Sequence, residues 1–251
     1  MTLETPQQEK KGNNKISRRK FIKIGGASIV AGAVAGGVAK FLSRGSENND
    51  VKIVGGREQI KEKEKIPLDI QNSLEKLKIN FNLRPDEFAI VVSPERQELY
   101  LTKNDEILKT YIISTGKAGM GSEIGSGKTP IGAHRIKEKI GDGAEIGTVF
   151  KGRQNTRYLA GITNEKIDLP QDDITTRIMW LDGQEENINR GGNVDSHSRY
   201  TYIHGTPEEG LLGEPNSHGC IRMKNSDVVE LFDVIPPETL VEIQSKPFAG
   251  E

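Results

Sequence analysis

Apolar residues fall along this chain in three textures, and each predicts a different kind of element. The first is "IGGASIVAGAVAGGVA", an apolar run with no charge until Lys40. The stretch from 40 to 66 ("SRGSENND", "REQIKEKEK") is polar and charged and reads as a linker or arm. "LDIQNSLEKLK", 68–78, sets Leu68, Ile70, Leu74 and Leu77 at helical spacing and predicts a short helix. Alternation then takes over: "FAIVVS", "QELYLT" and "ILKTYIIS" are strand-like, with "PER" and "KNDE" as turns between them. "RYTYIHG", 199–205, is a further strand whose period of two puts Tyr200, Tyr202 and His204 on one face. "SDVVELFDVI", 226–235, predicts a helix capped by Ser226 and stopped by Pro236 and Pro237, and "TLVEIQ" closes as a strand. The expectation is one mainly β domain over 80–246 with short helices, preceded by an arm at 40–79 and followed by a tail at 247–251.

Composition supports this and charge refines it. The 28 glycines and 5% aromatic content suit a turn-rich β protein better than a helical bundle. The net charge of −1 hides a split: residues 1–66 carry 14 Lys+Arg against 7 Asp+Glu, and the remainder 21 against 29. An acidic body argues against nucleic-acid binding, which needs a positive face. The basic start followed by the apolar run describes an export leader over 1–39. Arg18 and Arg19, with Phe21, Ile22 and Lys23 behind them, resemble a twin-arginine signal, and the twin-arginine export machinery is the implied partner. The alternative is a membrane anchor, for which the run is short of the roughly 20 residues of a span. Both alternatives place the body beyond an inner membrane, in a periplasm or on the cell-wall side.

"GSGKTPIG", 125–132, invites a phosphate-loop reading and fails it. Ser122 stands where the first glycine is required, and Pro130 and Gly132 follow where a helix should begin. A glycine-rich surface turn is the expectation.

The chemistry converges on "NSHGCIRM", 216–223, which holds Cys220, the only cysteine. An exported protein using cysteine for stability would pair it. Cys220 is therefore either a small buried hydrophobe or a reactive thiol. Two of the four histidines lie nearby in sequence, His204 and His218. Either could take the thiol proton and leave an imidazolium–thiolate pair. His204, at a strand end, is the better placed, because Gly219 predicts a bend between His218 and Cys220. The turn at His218, Gly219 and Cys220 could line an oxyanion site with its N–H groups. Arg222 offers a positive charge for a substrate carboxylate, or else pairs with Asp227. A zinc site of His204, His218 and Cys220 lacks the usual ligand spacing.

The segment "HGTPEEGLLGEPNSHGCIRMKNSDVVELFD", 204–233, closely resembles the L,D-transpeptidase catalytic domain, the YkuD domain. That family carries His-Gly, a gap of about fifteen residues, then Ser/Thr-His-Gly-Cys and usually Arg. "RQELYL", "ISTG", "KTPIG", "TTRIMWLDG" and "GGNVDSHSRYTYIHG" extend the resemblance over about 87–245. It implies a YkuD-type, β-sandwich-like domain with short flanking helices. It also implies Cys220 as nucleophile, His204 as proton donor and acceptor, and Gly205 as the carbonyl that orients His204. His218 and Gly219 become the oxyanion turn, and Arg222, Tyr202 and Ser217 substrate contacts. The implied activity is acyl transfer on peptidoglycan stem peptides without a cofactor, the acceptor being a second stem or a wall-anchored lipoprotein. Hydrolysis by the same site, as a carboxypeptidase or amidase, and a non-catalytic wall-binding module are the alternatives.

Overall fold

The computed structural model describes residues 66–248, together with the backbone of two short strands before them. The leader, with its arginine pair, lies outside the described residues. Two compact units are distinguished, Met1–Lys61 and Glu62–Glu251. In the first, β1 (Lys52–Val54) pairs antiparallel with β2 (Arg57–Gln59). No helix among the described residues is long and apolar enough to cross a membrane.

The second unit begins with α1 (Leu68–Phe81), which ends on Asn82 in the left-handed conformation. Ile70, Leu74 and Leu77 are buried as the helical spacing predicts, but Leu68 at the first turn is 71% exposed. The buried stripe covers Ala89, Val91, Ala133 and Leu240, so this helix, read above as part of the arm, packs with the β domain. Each such side chain contributes about 1.5–3 kcal/mol by leaving water.

Ten strands follow. They are β3 (Ala89–Ser93), β4 (Glu98–Lys103), β5 (Glu106–Ser114), β6 (Gly132–Ile140), β7 (Thr148–Lys151), β8 (Gln154–Leu159), β9 (Ile174–Gly183), β10 (Tyr202–Gly205), β11 (Ile221–Met223) and β12 (Leu240–Ile243). Helix α2 (Asn225–Val234) connects the last two. The order β10-β11-β5-β4-β3-β12-β6-β9 is closed by pairing of β9 with β10, which makes an eight-stranded barrel. The expected mainly β domain with flanking helices is present, and its sheet is one continuous ring. Most pairs are antiparallel, while β10–β11 and β3–β12 are parallel. The hairpin β7–β8 hangs from β9 outside the ring.

Period two explains the burial. Ile90 and Val92, Leu99 and Leu101, Met179 and Leu181, and Ile203 share one inward cluster, to which α2 adds Val228, Leu231 and Phe232. "FAIVVS" reads as continuously apolar because β3 is buried on both faces, one inside the barrel and one under α1.

The capping expectation is corrected. Ser226 is inside the first turn, where its hydroxyl meets Asp227, and Lys224 holds the cap position. The Asn225 N–H donates instead to the Glu209 carboxylate at 2.8 Å, so a distant acid caps the helix. The "GSGKTPIG" segment is the turn expected: Gly125 and Gly127 have φ of +73° and +68°, and strand β6, not a helix, begins at Gly132.

Candidate active site

The parallel ladder between β10 and β11 builds the site. Ile203 faces Ile221 and His204 faces Arg222. The isoleucines point into the barrel, which turns Tyr202, His204 and Arg222 to the other face. Cys220, just before β11, packs on that face beside Phe150, Ile178, Trp180 and Tyr202. His204 and Cys220 are thus diagonal neighbours across one ladder.

His204 is 2% exposed. Its Nδ1 lies 2.7 Å from the Gly205 carbonyl, which can only accept, so Nδ1 carries the proton and Nε2 holds a free lone pair. Gly205 is required there: a Cβ would stand 2.5 Å from Asn225 Oδ1 and 2.9 Å from the Thr175 carbonyl. Asn225, buried at the start of α2, accepts from the hydroxyls of Thr175 and Thr176 and donates to the Thr206 carbonyl. Thr176 has φ of +67°, costly for a β-branched residue, beside the register shift between His204 and Gly205. Together these contacts hold the carbonyl that aims the imidazole.

The electrostatics bear on the charge state of the pair. Burial pushes His204 down to about 4, with Asp172 and the Gly205 bond opposing it only in part. Burial pushes the Cys220 thiol up to about 11, against a lowering bond from the Tyr202 backbone. The Sγ–H is directed at the Tyr200 carbonyl, 3.6 Å away. Desolvation therefore favours a neutral thiol beside a neutral imidazole over a standing imidazolium–thiolate pair.

The turn before Cys220 is held by Ser217. Its hydroxyl donates to the Cys220 carbonyl at 2.6 Å and accepts from the Gly219 N–H at 3.1 Å. The Ser217 hydroxyl thus both donates and accepts within the turn. Gly219 has φ of +116°, and a Cβ there would lie 2.9 Å from the Lys128 carbonyl, so only glycine fits. Its amide is spent on Ser217, whereas the amides of His218 and Cys220 have no acceptor among the described residues. Those two N–H groups are the donors left open beside Cys220, and Gly219 contributes shape.

His218 and Arg222 both pair with loop carboxylates. The His218 side chain is 83% exposed, with Nδ1 2.6 Å from Asp172. Arg222, 2% exposed, bonds Glu208 at 2.5 Å through Nη1 and Asp172 at 2.6 Å through Nη2. Glu208 also accepts from the Leu169 N–H, so Arg222 clamps the 160–173 loop to the barrel. Its charge is committed to these two carboxylates, and Asp227 is not its partner. Burial works against the Asp172 charge, but Arg222 and His218 overcome it and lower its pKa. Tyr202 is buried, with its hydroxyl 3.4 Å from Arg153, whose guanidinium lies over Trp180. Among the described residues no group of three His, Cys, Asp or Glu is placed to hold a metal ion.

Asp172, Glu208, Asn225 and Thr176 were not singled out in the sequence. Alternation along "TTRIMWLDG" could have placed Trp180 on the site face, but the acids lie in loops without periodicity.

Two buried histidines make stability depend on pH. His204 and His134, the latter fully buried against Gly132 and Ser196, are both lowered from 6.5 to about 4 by burial. The unfolded chain takes up protons below 6.5 that the folded chain refuses. Stability is therefore fully present above that pH and is lost as pH falls toward 4. Unfolding in urea should show a loss of about 2 kcal/mol per histidine between pH 7 and pH 5. A flat profile would contradict the burial of both rings in neutral form.

The chain matches the L,D-transpeptidase catalytic domain, YkuD, over residues 87–243. It is 49% identical over 41 residues to the putative L,D-transpeptidase YkuD of Bacillus subtilis, covering 16% of this chain and 25% of that one. Over the same length it is 54% identical to the putative L,D-transpeptidase YqjB of that organism, 16% of this chain and 23% of that one. The matched segments thus span about a quarter of these relatives. Among solved structures, L,D-transpeptidase 3 from Mycobacterium tuberculosis with a faropenem-derived adduct is similar at 16% identity and a TM-score of 0.40, covering 62% of this chain and 60% of that one. The L,D-transpeptidase LdtMt1 in complex with imipenem is similar at 21% identity and a TM-score of 0.39, with 63% and 59% covered. By a match that runs from just before β3 to the end of β12, the chain belongs to the L,D-transpeptidase catalytic domain family.

Proposed function

We propose that the protein is a peptidoglycan L,D-transpeptidase that works by covalent catalysis through Cys220. The Cys220 sulfur attacks the carbonyl of the L-centre of a tetrapeptide stem, typically diaminopimelate, as His204 Nε2 takes the thiol proton. The tetrahedral oxyanion is met by the His218 and Cys220 amides. The C–N bond breaks, and His204 returns its proton to the departing D-alanine amine. A thioester remains. An acceptor amine then attacks it, giving a proton to His204, and the C–S bond breaks to restore the thiol. The acceptor is a second stem or a lysine of a wall-anchored lipoprotein. Water in that place would make the same site a carboxypeptidase. The reaction takes place outside the cytoplasm, where the leader would deliver the body.

The observation that carries this reading is the fixed tautomer of His204. Its Nδ1–H is spent on Gly205, which leaves Nε2 on the nucleophile's face as a proton acceptor. Digestion of purified peptidoglycan followed by muropeptide analysis tests it. Dimers linked through the donor's L-centre carbonyl, or lipoprotein-linked stems, with D-alanine released, support transfer. Tripeptides alone support hydrolysis, and unchanged stems contradict both.

His204→Gln is expected to slow thioester formation on the order of a hundredfold or more. His218→Gln should change it by less than about tenfold, since that residue contributes mainly its amide. Single-turnover release of D-alanine measures both. The opposite ranking would transfer the base to His218.

A further inference from the structure

The donor proposed above ends in a carboxylate carried by the residue that leaves. Arg222 cannot meet it, because Glu208 and Asp172 hold its guanidinium. Arg153, over the Trp180 and Tyr200 rings, is spent on aromatic faces. Arg199 differs. Its Nη2 donates to the Lys128 carbonyl at 2.7 Å, and its Nη1 reaches the Gly121 carbonyl at 3.4 Å. Both are neutral acceptors, and no carboxylate pairs with Arg199 among the described residues.

Two contacts bring Arg199 to the nucleophile. The Lys128 carbonyl it holds is the atom that packs against Gly219, one residue before Cys220. The neighbouring Tyr200 carbonyl lies 3.6 Å from the Cys220 sulfur. Burial lowers the Arg199 pKa, and Cys220 acts in the opposite sense, as a half-desolvated cation near that sulfur should feel. Such a cation with only neutral partners is suited to an anion.

The donor offers that anion close to the reaction. The carboxylate of the departing D-residue sits on the α-carbon next to the scissile nitrogen. The side-chain carboxylate of diaminopimelate is separated from the scissile carbonyl by the whole side chain. We propose that Arg199 binds the carboxylate of the departing D-residue and so selects donors with a free C-terminus. This rests on the transpeptidase reading above, but it can fail separately.

The test uses two alkylating agents that each form a thioether by the same displacement and release the same iodide. Iodoacetate carries a carboxylate, and iodoacetamide is its neutral counterpart. The measured quantity is the ratio of their rates at Cys220 in the full chain, each normalised to glutathione. The ratio cancels any change in thiolate fraction, which Arg199 itself favours. Arg199→Gln is expected to lower it about tenfold, the worth of one charge-assisted hydrogen bond, and Arg199→Lys to keep part of it. An unchanged ratio in Arg199→Gln, or an equal fall in Arg199→Lys and Arg199→Gln, overturns the proposal. In turnover, the wild type should prefer stems ending in D-alanine over D-alaninamide, and Arg199→Gln should lose that preference. A normal alkylation ratio without any turnover would sink the transpeptidase reading and leave the anion site standing.

Discussion

Replacing Cys220 with alanine should abolish release of D-alanine from a tetrapeptide donor while leaving the fold intact. The expected loss is at least on the order of 10,000-fold, because the covalent step has no other thiol to use. Stability should change by no more than about 1 kcal/mol, the scale of removing one sulfur at a partly exposed position. The turn itself is held by Ser217, Gly219 and the Lys128 carbonyl, none of which needs the thiol. The competing idea, that Cys220 is a packed core residue, makes the reverse forecast: activity retained and stability lost. Turnover and urea unfolding of the same sample decide between them.

Replacing Arg222 with alanine should be the most destabilising of the changes considered. Glu208 is 1% exposed and would be left charged and without its cation. Breaking one side of a buried pair costs about 3–5 kcal/mol. The double variant Arg222→Met with Glu208→Leu should recover much of that loss, since the most deeply buried carboxylate is removed with its cation and Asp172 keeps His218. Activity should fall as well, because the Asp172 loop that holds His218 is released. Urea unfolding of the single and double variants gives the comparison. A single variant as stable as wild type would show that the clamp does not hold the loop.

Much of the fold was legible because its signals are local. The alternation in "QELYLT" and "ILKTYIIS" gives β4 and β5, and the spacing of Ile70, Leu74 and Leu77 gives α1. Closure of the ring was not legible, since pairing of β9 with β10 joins residues that alternation alone cannot match. The cap of α2 was misassigned for the same reason: Glu209 reaches Asn225 from outside the helix. In the site, Cys220, His204 and Gly205 stood out by residue type and order. The ion pairs of Arg222 were not legible, because its partners, Asp172 and Glu208, come from other segments. The charge state of the thiol and imidazole depends on burial, which no motif states. The glycine-rich turn at 125–132 is the wall against which the turn before Cys220 is packed.

The most direct measurement is intact-protein mass spectrometry of the protein mixed with a disaccharide-tetrapeptide and no acceptor amine. The expected result is an adduct equal to the donor less its terminal D-alanine, mapped to Cys220 and absent from Cys220→Ala. Release of D-alanine with no such adduct, at any time or pH sampled, or an adduct on another residue, would contradict covalent catalysis by Cys220.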